Sequence, residues 1–304
     1  MNSTALPQFN RYKNTLLTLA LICLPPLFWA GNFIAGRSVR GDIPPISLNF
    51  FRWLIAALVL LPFTLGMLKQ QRELYWQHRK KIFIASALGI CAFNSLIYLG
   101  LQTTTANNAI ILNAFIPLLI SLFGALFFSL QLTWRHWLGM SVSFAGVIVI
   151  VTQGSLELLL HFHLNAGDAW VFVATLCWAA YTLLLKTIPP QINRYGLMSA
   201  QILIGLVLLA PFFIVELSHA QPLVWSKQSL WALAYVGIVP SVLAYLIYTA
   251  SIGKLGAAKA GASINLLPVF GVLLSVLLLG ESIHYYQLTG MALIFTGLFF
   301  SSGK

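Results

Sequence analysis

Charged residues are scarce in this chain. Only 8% of its 304 residues are Asp, Glu, Lys or Arg, whereas 59% are hydrophobic. A soluble globular protein carries roughly a quarter of charged residues, which keep its surface hydrated. Because this chain lacks the polar side chains to cover itself, its outer surface must face lipid. The composition argues against a soluble domain and predicts an integral protein of a lipid bilayer.

Acidic residues and catalytic motifs are also lacking. The chain has only 6 Asp and Glu residues, and none falls in the middle of an apolar run. A buried carboxylate relay for protons is therefore not visible. The sequence contains no H-E-x-x-H, no P-loop and no G-x-S-x-G, which argues against an enzyme and against ATP-driven transport by this chain alone. No catalytic residue and no cofactor are expected.

Cysteine is rare as well. Cys23, Cys91 and Cys177 are odd in number, lie within apolar runs and form no C-x-x-C. Disulfide and metal-binding roles are poor interpretations of this pattern, and small buried hydrophobic side chains are the better one.

The chain consists largely of long apolar runs. Each is about 17 to 24 residues long, enough for a helix to cross ~30 Å of hydrocarbon, and only helices satisfy every backbone group within one span. The pattern predicts an all-α membrane protein with ten transmembrane helices. Their approximate bounds are Thr15–Gly36, Ile46–Met67, Ile82–Gln102, Ala106–Phe128, His136–Gln153, Ala169–Leu185, Gly196–Leu217, Ser229–Ile252, Ala260–Leu279 and Tyr286–Ser302. Asp168 has the residue type and position of an N-cap for the sixth helix.

The placement of Lys and Arg predicts the orientation. With a cytoplasmic N-terminus, thirteen of these residues fall in the inner connections and three in the outer ones. Such a bias is typical of cytoplasmic loops, so both termini are expected inside. The net charge of +11 is thus a topology signal, and no nucleic-acid partner is expected.

The chain is an internal duplication. Matching residues recur at shifts of 149 and 151, and they are Trp29/Trp178, Pro62/Pro211, Pro117/Pro268, Gly139/Gly290 and Gly146/Gly297. The sequence predicts two five-helix repeats, residues 1–153 and 154–304. Because five is odd, the second repeat must have inverted topology, a plan that recurs in transporters. The paired glycines are expected to allow close helix packing.

Arg52 is the most informative single residue. It lies about nine Å inside the predicted second helix at 1.5 Å per residue, where an Arg costs about 2.5–3.5 kcal/mol on insertion scales. One interpretation is attraction of an anionic or zwitterionic substrate group. The other is an Arg that reaches the headgroups or pairs with carbonyls at a helix break. Its repeat equivalent is Gln201.

Neutral polar side chains complete the candidate substrate site. Amides donate and accept hydrogen bonds, and aromatic rings offer apolar faces, which suits an organic solute. Helix–helix adhesion and interfacial aromatic belts are the structural alternatives for each of them. The candidates beside Arg52 are Asn32, Asn94, Asn113, Trp178, Tyr181, Tyr245, Tyr248 and Asn265.

Three stretches carry a family resemblance over about residues 16 to 302. They are LFWAGNFIAGRSVRGDIPPISLNFFRW, GDAWVFVATLCWAAYTLLLK and ASINLLPVFGVLLSVLLLGESIHYYQLTGMALIFTG. With these, the chain resembles EamA-type members of the drug/metabolite transporter superfamily. The resemblance implies a bacterial inner-membrane protein that exports or exchanges small metabolites, often amino acids. It also implies a central cavity built mainly by helices 1, 3, 4, 6, 8 and 9. Arg52 matches an Arg common in the family's second helix, and Glu281 a structural Glu of its L-G-E turn.

The sequence thus favours a secondary transporter that works by alternating access on a small-molecule substrate. A membrane sensor or assembly subunit that moves nothing, and a passive pore, are the alternatives. A monomer and a homodimer are both compatible with the sequence.

Overall fold

The computed structural model describes residues 5–104, 109, 112–160, 165–219, 223–279 and 282–302, and these contain no strand. Glu281 lies outside them. Short helices Arg72–Gln77 and Leu156–Leu160 lie in connections. The longer helices are α1 (Ala5–Ser38), α2 (Pro45–Gln70), α3 (Arg79–Thr103), α4 (Ile116–Phe127), α5 (Trp134–Val151), α6 (Ala166–Lys186), α7 (Arg194–His219), α8 (Lys227–Leu255), α9 (Ala257–Ala262 and Leu267–Leu279, joined by a 3-10 turn) and α10 (Tyr285–Ser302).

Within the described ranges, 8 helices are long and apolar enough to cross a membrane. They are α1, α2, α3, α5, α6, α7, α8 and the Ala257–Leu274 part of α9. Large apolar side chains such as Phe63, Val207 and Leu277 are more than 70% exposed, as expected for a surface in lipid. The chain is a multi-pass membrane protein.

Two of the predicted spans are not among the helices that are long and apolar enough to cross a membrane. The described part of the fourth is α4, with 12 residues, and residues 105–108, 110 and 111 before it are not described. The last is α10, whose 18 residues begin with the polar sequence Tyr285-Tyr286-Gln287. The count of ten stays a prediction.

Helices α5 and α10 pack backbone to backbone through the duplicated glycines. A Cβ on Gly139 would lie 2.5 Å from the Gly297 carbonyl oxygen, and one on Gly146 would lie 2.6 Å from that of Gly290. Numbers rise along α5 as they fall along α10, so the two helices are antiparallel. The predicted packing role of these glycines is confirmed.

Helices α2 and α7 form a second antiparallel pair. The Thr64 and Ser199 hydroxyls are 2.6 Å apart, and the Phe50 and Phe213 rings stack with centroids 4.2 Å apart. The two contacts are repeat equivalents, because a shift of 149 residues maps Thr64 onto Phe213 and Phe50 onto Ser199. The same patch of each repeat therefore contacts its equivalent across a local two-fold relation.

Asp168 is placed differently from the expectation. The N-cap of α6 is Asn165, and Asp168 is the third residue of the helix, where its carboxylate accepts from the Asn165 backbone N–H. The two side chains form a capping box. Thr104 also donates a hydrogen bond to Asp168, so this carboxylate joins α6 to the end of α3.

The N-terminus of α2 is capped by a carboxylate from α7. Glu216 accepts from the backbone N–H of Ile46 at 2.9 Å and from the Ser47 N–H and hydroxyl at 2.5 and 2.7 Å. The local N-cap, Pro44, provides no side-chain cap. Because first-turn N–H groups lack intrahelical acceptors and attract negative charge, we expect Glu216→Ala to lower the free energy of unfolding by about 1–2 kcal/mol.

Thermal unfolding of the detergent-solubilised protein measures this loss. Glu73→Ala is the matched control, because Glu73 is 76% exposed and contacts only Arg72 among the described ion pairs. It should cost less than about 0.5 kcal/mol. Equal losses in the two variants would contradict the capping role.

Candidate substrate cavity

A cavity lies between the two halves of the chain. Its walls come from α1, α3, the segment leading into α4, α6, α8 and α9, which are the helices that the resemblance implied. The lining residues are Trp29, Asn32, Phe33, Phe93, Asn94, Ile97, Asn113, Ile116, Trp178, Tyr245, Ile264 and Leu267. Three amides thus face a mainly aromatic and aliphatic wall, as in sites for organic solutes.

The cavity is nearly closed in this conformation. Its free volume is about 30 Å³, and a water molecule needs about 10–15 Å³ on this measure. The space holds about two water molecules and no metabolite. A solute can enter only when the surrounding helices move apart.

Arg52 lies directly behind the cavity wall and is 1% exposed. Its Nε donates to the Ser241 hydroxyl at 2.8 Å, and its Nη1 lies 2.8 Å from both Asn94 Oδ1 and the Tyr98 hydroxyl and 3.3 Å from Asn32 Oδ1. The Tyr98 hydroxyl in turn donates to Asn32 at 3.0 Å. One guanidinium therefore joins α1, α2 and α3 of the first half to α8 of the second.

All these partners of Arg52 are neutral. No carboxylate lies within ion-pair distance of the guanidinium among the residues that the structure describes. The faces of Trp53 and Tyr98 lie 5.0 and 5.8 Å from its central carbon, where a cation is attracted to the ring. Dipoles and rings hold the buried charge without cancelling it, so an anionic group entering the cavity would meet an uncompensated positive charge.

An aromatic cluster forms another part of the cavity wall. Trp29 and Trp178, which are repeat equivalents, pack edge to face with centroids 5.2 Å apart. Tyr245 lies 5.2 Å from Trp178, Tyr248 lies 5.2 Å from Trp29, and Phe93 lies 4.5 Å from Trp178. Both halves contribute rings, and large rings with few rotatable bonds give a well-defined wall.

Two short π-helical segments position these groups. They are Ala87–Ala92 in α3 and Val239–Leu243 in α8, at equivalent places in the two repeats. The Gly89 carbonyl accepts from Asn94 Nδ2 at 3.1 Å and from the Tyr245 hydroxyl at 2.9 Å, and the Pro240 carbonyl accepts from Trp29 Nε1 at 3.1 Å. Such bulges free carbonyls from the helical ladder and often mark functional sites.

The nine predicted site residues fall into three groups. Five line the cavity, and they are Asn32, Asn94, Asn113, Trp178 and Tyr245. Arg52, Tyr181 and Tyr248 lie behind that lining, Arg52 through hydrogen bonds and the two tyrosines through ring contacts. Asn265 lies apart, because its Nδ2 donates to the Ser143 hydroxyl of α5 at 2.9 Å and it is not among the lining residues.

Among the residues that hydrogen-bond Arg52 or form the aromatic cluster, four are absent from the predicted set. Trp29 and Tyr98 carried a usable signal, since Trp29 is the repeat equivalent of Trp178 and Tyr98 follows Asn94 by one helical turn. Phe93 and Ser241 carried none, because a Phe or Ser in an apolar run is ordinary.

A multi-pass helical bundle around an enclosed cavity of amide and aromatic groups is typical of the transporter class. The model of the EamA-like transporter family matches this sequence twice, over residues 16–152 and 165–303. The chain therefore belongs to the EamA-like transporter family.

Named relatives are transporters of similar length. The uncharacterized transporter YyaM of Bacillus subtilis is 28% identical over 91% of this chain and 90% of its own. Probable amino-acid metabolite efflux pumps of Escherichia coli and Salmonella typhimurium are 24% and 26% identical, over 94% and 92% of this chain and the same shares of their own. A solved crystal structure matches with a TM-score of 0.71 and 21% identity over 95% of this chain and 96% of the other, a likeness of fold alone.

Proposed function

We propose that this protein is a secondary transporter that exports or exchanges a small metabolite, an amino acid or a related compound, across the bacterial inner membrane. The observation that carries the proposal is Arg52, a buried cation with neutral partners one hydrogen bond behind a cavity shared by both halves. A charge held so deep in a span is costly and is typically functional. The names of the efflux-pump relatives agree with an amino-acid substrate.

In the proposed binding mode, the substrate carboxylate sits on the side of Arg52, Asn32 and Asn94. Asn113 supplies a further amide to the polar end of the solute. The remaining organic part contacts the aromatic wall formed by Trp178 and Tyr245, which Tyr181 and Tyr248 support from behind. Asn265 then contributes by holding α9 against α5 at the edge of the site.

Alternating access between two inverted five-helix repeats is the proposed mechanism. We place the repeats at 1–153 and 154–304, with ten spans and both termini in the cytoplasm. The antiparallel pairing of α2 with α7 and of α5 with α10 supports this plan, because repeat-equivalent helices run in opposite directions when the topology is inverted. The closed cavity supports an occluded step between the two open states.

Counterflow in liposomes tests the function. Purified protein is reconstituted with one unlabelled solute at high internal concentration, and entry of the same labelled solute is measured for each member of a panel of amino acids, nucleobases and organic cations. We expect transient, saturable accumulation for at least one solute. Exchange by none of the amino acids, nucleobases or organic cations tested would favour a sensor or assembly subunit, and flux that never saturates would favour a pore.

A further inference from the structure

The Arg52 network has a counterpart in the second repeat. The shifts of 149 and 151 residues map its members onto three residues of α6, α7 and α8, pairing Asn32 with Tyr181, Arg52 with Gln201 and Tyr98 with Thr249. All three counterparts are buried, with 0%, 1% and 8% of their surface exposed. A polar trio thus occupies equivalent positions in both halves.

The two trios lie toward opposite ends of the bundle. Arg52 and Gln201 each come seven residues after the first residue of α2 and of α7, and these helices are antiparallel. The contact of Thr64 with Ser199 places Gln201 near the level of Pro62. That level is ten residues from Arg52, about 15 Å along the helix axis.

Their hydrogen bonding differs sharply. In the first trio, Asn32, Arg52 and Tyr98 are bonded to one another. In the second, Gln201 Nε2 and the Tyr181 hydroxyl make no hydrogen bond of ordinary geometry, although Thr249 is close enough to interact with that hydroxyl. Buried polar groups are nearly always hydrogen-bonded, so these donors point to another arrangement of the helices in which they have partners.

We infer that the trios are two gates that close in turn. The Asn32–Arg52–Tyr98 gate is closed here, and through Ser241 it ties the first half to the second. The Tyr181–Gln201–Thr249 gate lacks its hydrogen bonds here, and it forms them when the bundle opens at the Arg52 end. This inference rests on the proposed alternating access, and it assigns to Gln201 a positioning role that its neutral, buried side chain does not suggest.

Reaction of a cavity cysteine with a membrane-impermeant maleimide tests the gates. Ile97→Cys, which lines the cavity beside Tyr98, is placed in a chain whose three native cysteines are serine, and the reagent is added to one face of the membrane. Arg52→Ala weakens one gate and Gln201→Leu the other. We expect them to change the labelling rate in opposite directions, each by about tenfold, the effect of losing about 1.4 kcal/mol of gate stabilisation. Opposite signs are expected whichever face is reached.

Ser251→Ala is the matched control for Gln201→Leu. The Ser251 hydroxyl is also buried without a hydrogen bond in this conformation, but it lies outside both trios, so its loss should leave labelling and exchange unchanged. Gln201→Leu should leave the melting temperature equal or higher, because it removes a donor that has no partner here. A purely structural Gln201 would instead lower it.

The outcomes separate the gates from the proposed function. Labelling changes of the same sign in Arg52→Ala and Gln201→Leu would overturn the two-gate inference, as would a Gln201→Leu protein that labels like Ser251→Ala. If the wild-type protein exchanges no solute but the two variants shift the labelling rate in opposite directions, the transport proposal is rejected and the two-gate inference stands.

Discussion

Arg52→Ala abolishes exchange without removing the folded protein from the membrane. We expect counterflow to fall about 30-fold or more, since losing a buried charged partner of a bound anion costs about 2–5 kcal/mol. Folding survives because Tyr98 still donates to Asn32, and Asn94 still donates to Gly89. Removing a charge that has no counter-ion also removes its desolvation cost.

Two further variants sharpen this test. Arg52→Lys keeps the charge but cannot reach Asn32, Asn94, Tyr98 and Ser241 together, so it should retain a small part of the exchange. Arg72→Ala deletes an arginine whose side chain is 81% exposed and should exchange like the wild type. Normal flux by Arg52→Ala at equal expression would reject a role for Arg52 in substrate binding.

Gly146→Ala should cause a large loss of stability for the addition of a single methyl group. The new Cβ would lie 2.6 Å from the Gly290 carbonyl oxygen and 2.9 Å from Ile294. Because backbone atoms cannot move away without displacing their helix, α5 and α10 must separate. Overpacking of this kind costs about 1–3 kcal/mol and occasionally more, and we expect the upper end of that range here.

Gly66→Ala in α2 is the matched control, since a Cβ there meets nothing within 4 Å. It should be neutral or stabilise the protein by about 0.5–1 kcal/mol, because Ala restricts the unfolded chain and suits a helix interior. Thermal melts followed by size-exclusion chromatography compare the two variants. Similar melting temperatures would mean that the α5–α10 contact is not a close glycine interface.

The duplication could be found in the sequence because prolines, glycines and Trp29/Trp178 recur at fixed shifts. The duplication did not reveal how the hydrogen bonding of equivalent positions differs. Four side chains accept hydrogen bonds from Arg52, whereas Gln201 Nε2 has no partner. That difference depends on helices that are distant in sequence. Ser241, for example, reaches Arg52 across 189 residues.

Asn265 illustrates the limit most clearly. Like Asn113, it is an asparagine shortly before one of the two repeated prolines, yet it packs against Ser143 while Asn113 lines the cavity. In a soluble helix, the apolar face identifies the buried side. In a membrane helix, lipid is as apolar as the protein core, so composition does not distinguish the two faces.

The sequence by itself determined that this chain is embedded in a membrane and that it is built of apolar helices in two related halves. It also determined that Arg52 is a charged residue within an apolar span. Those conclusions depend on composition, spacing and the cost of placing a charge in hydrocarbon, which need no knowledge of contacts. Only the tertiary structure decided which helices meet, how closely the cavity is shut and which polar groups find partners. Those properties depend on helix faces, and hydrophobicity alone leaves a helix free to turn any face inward.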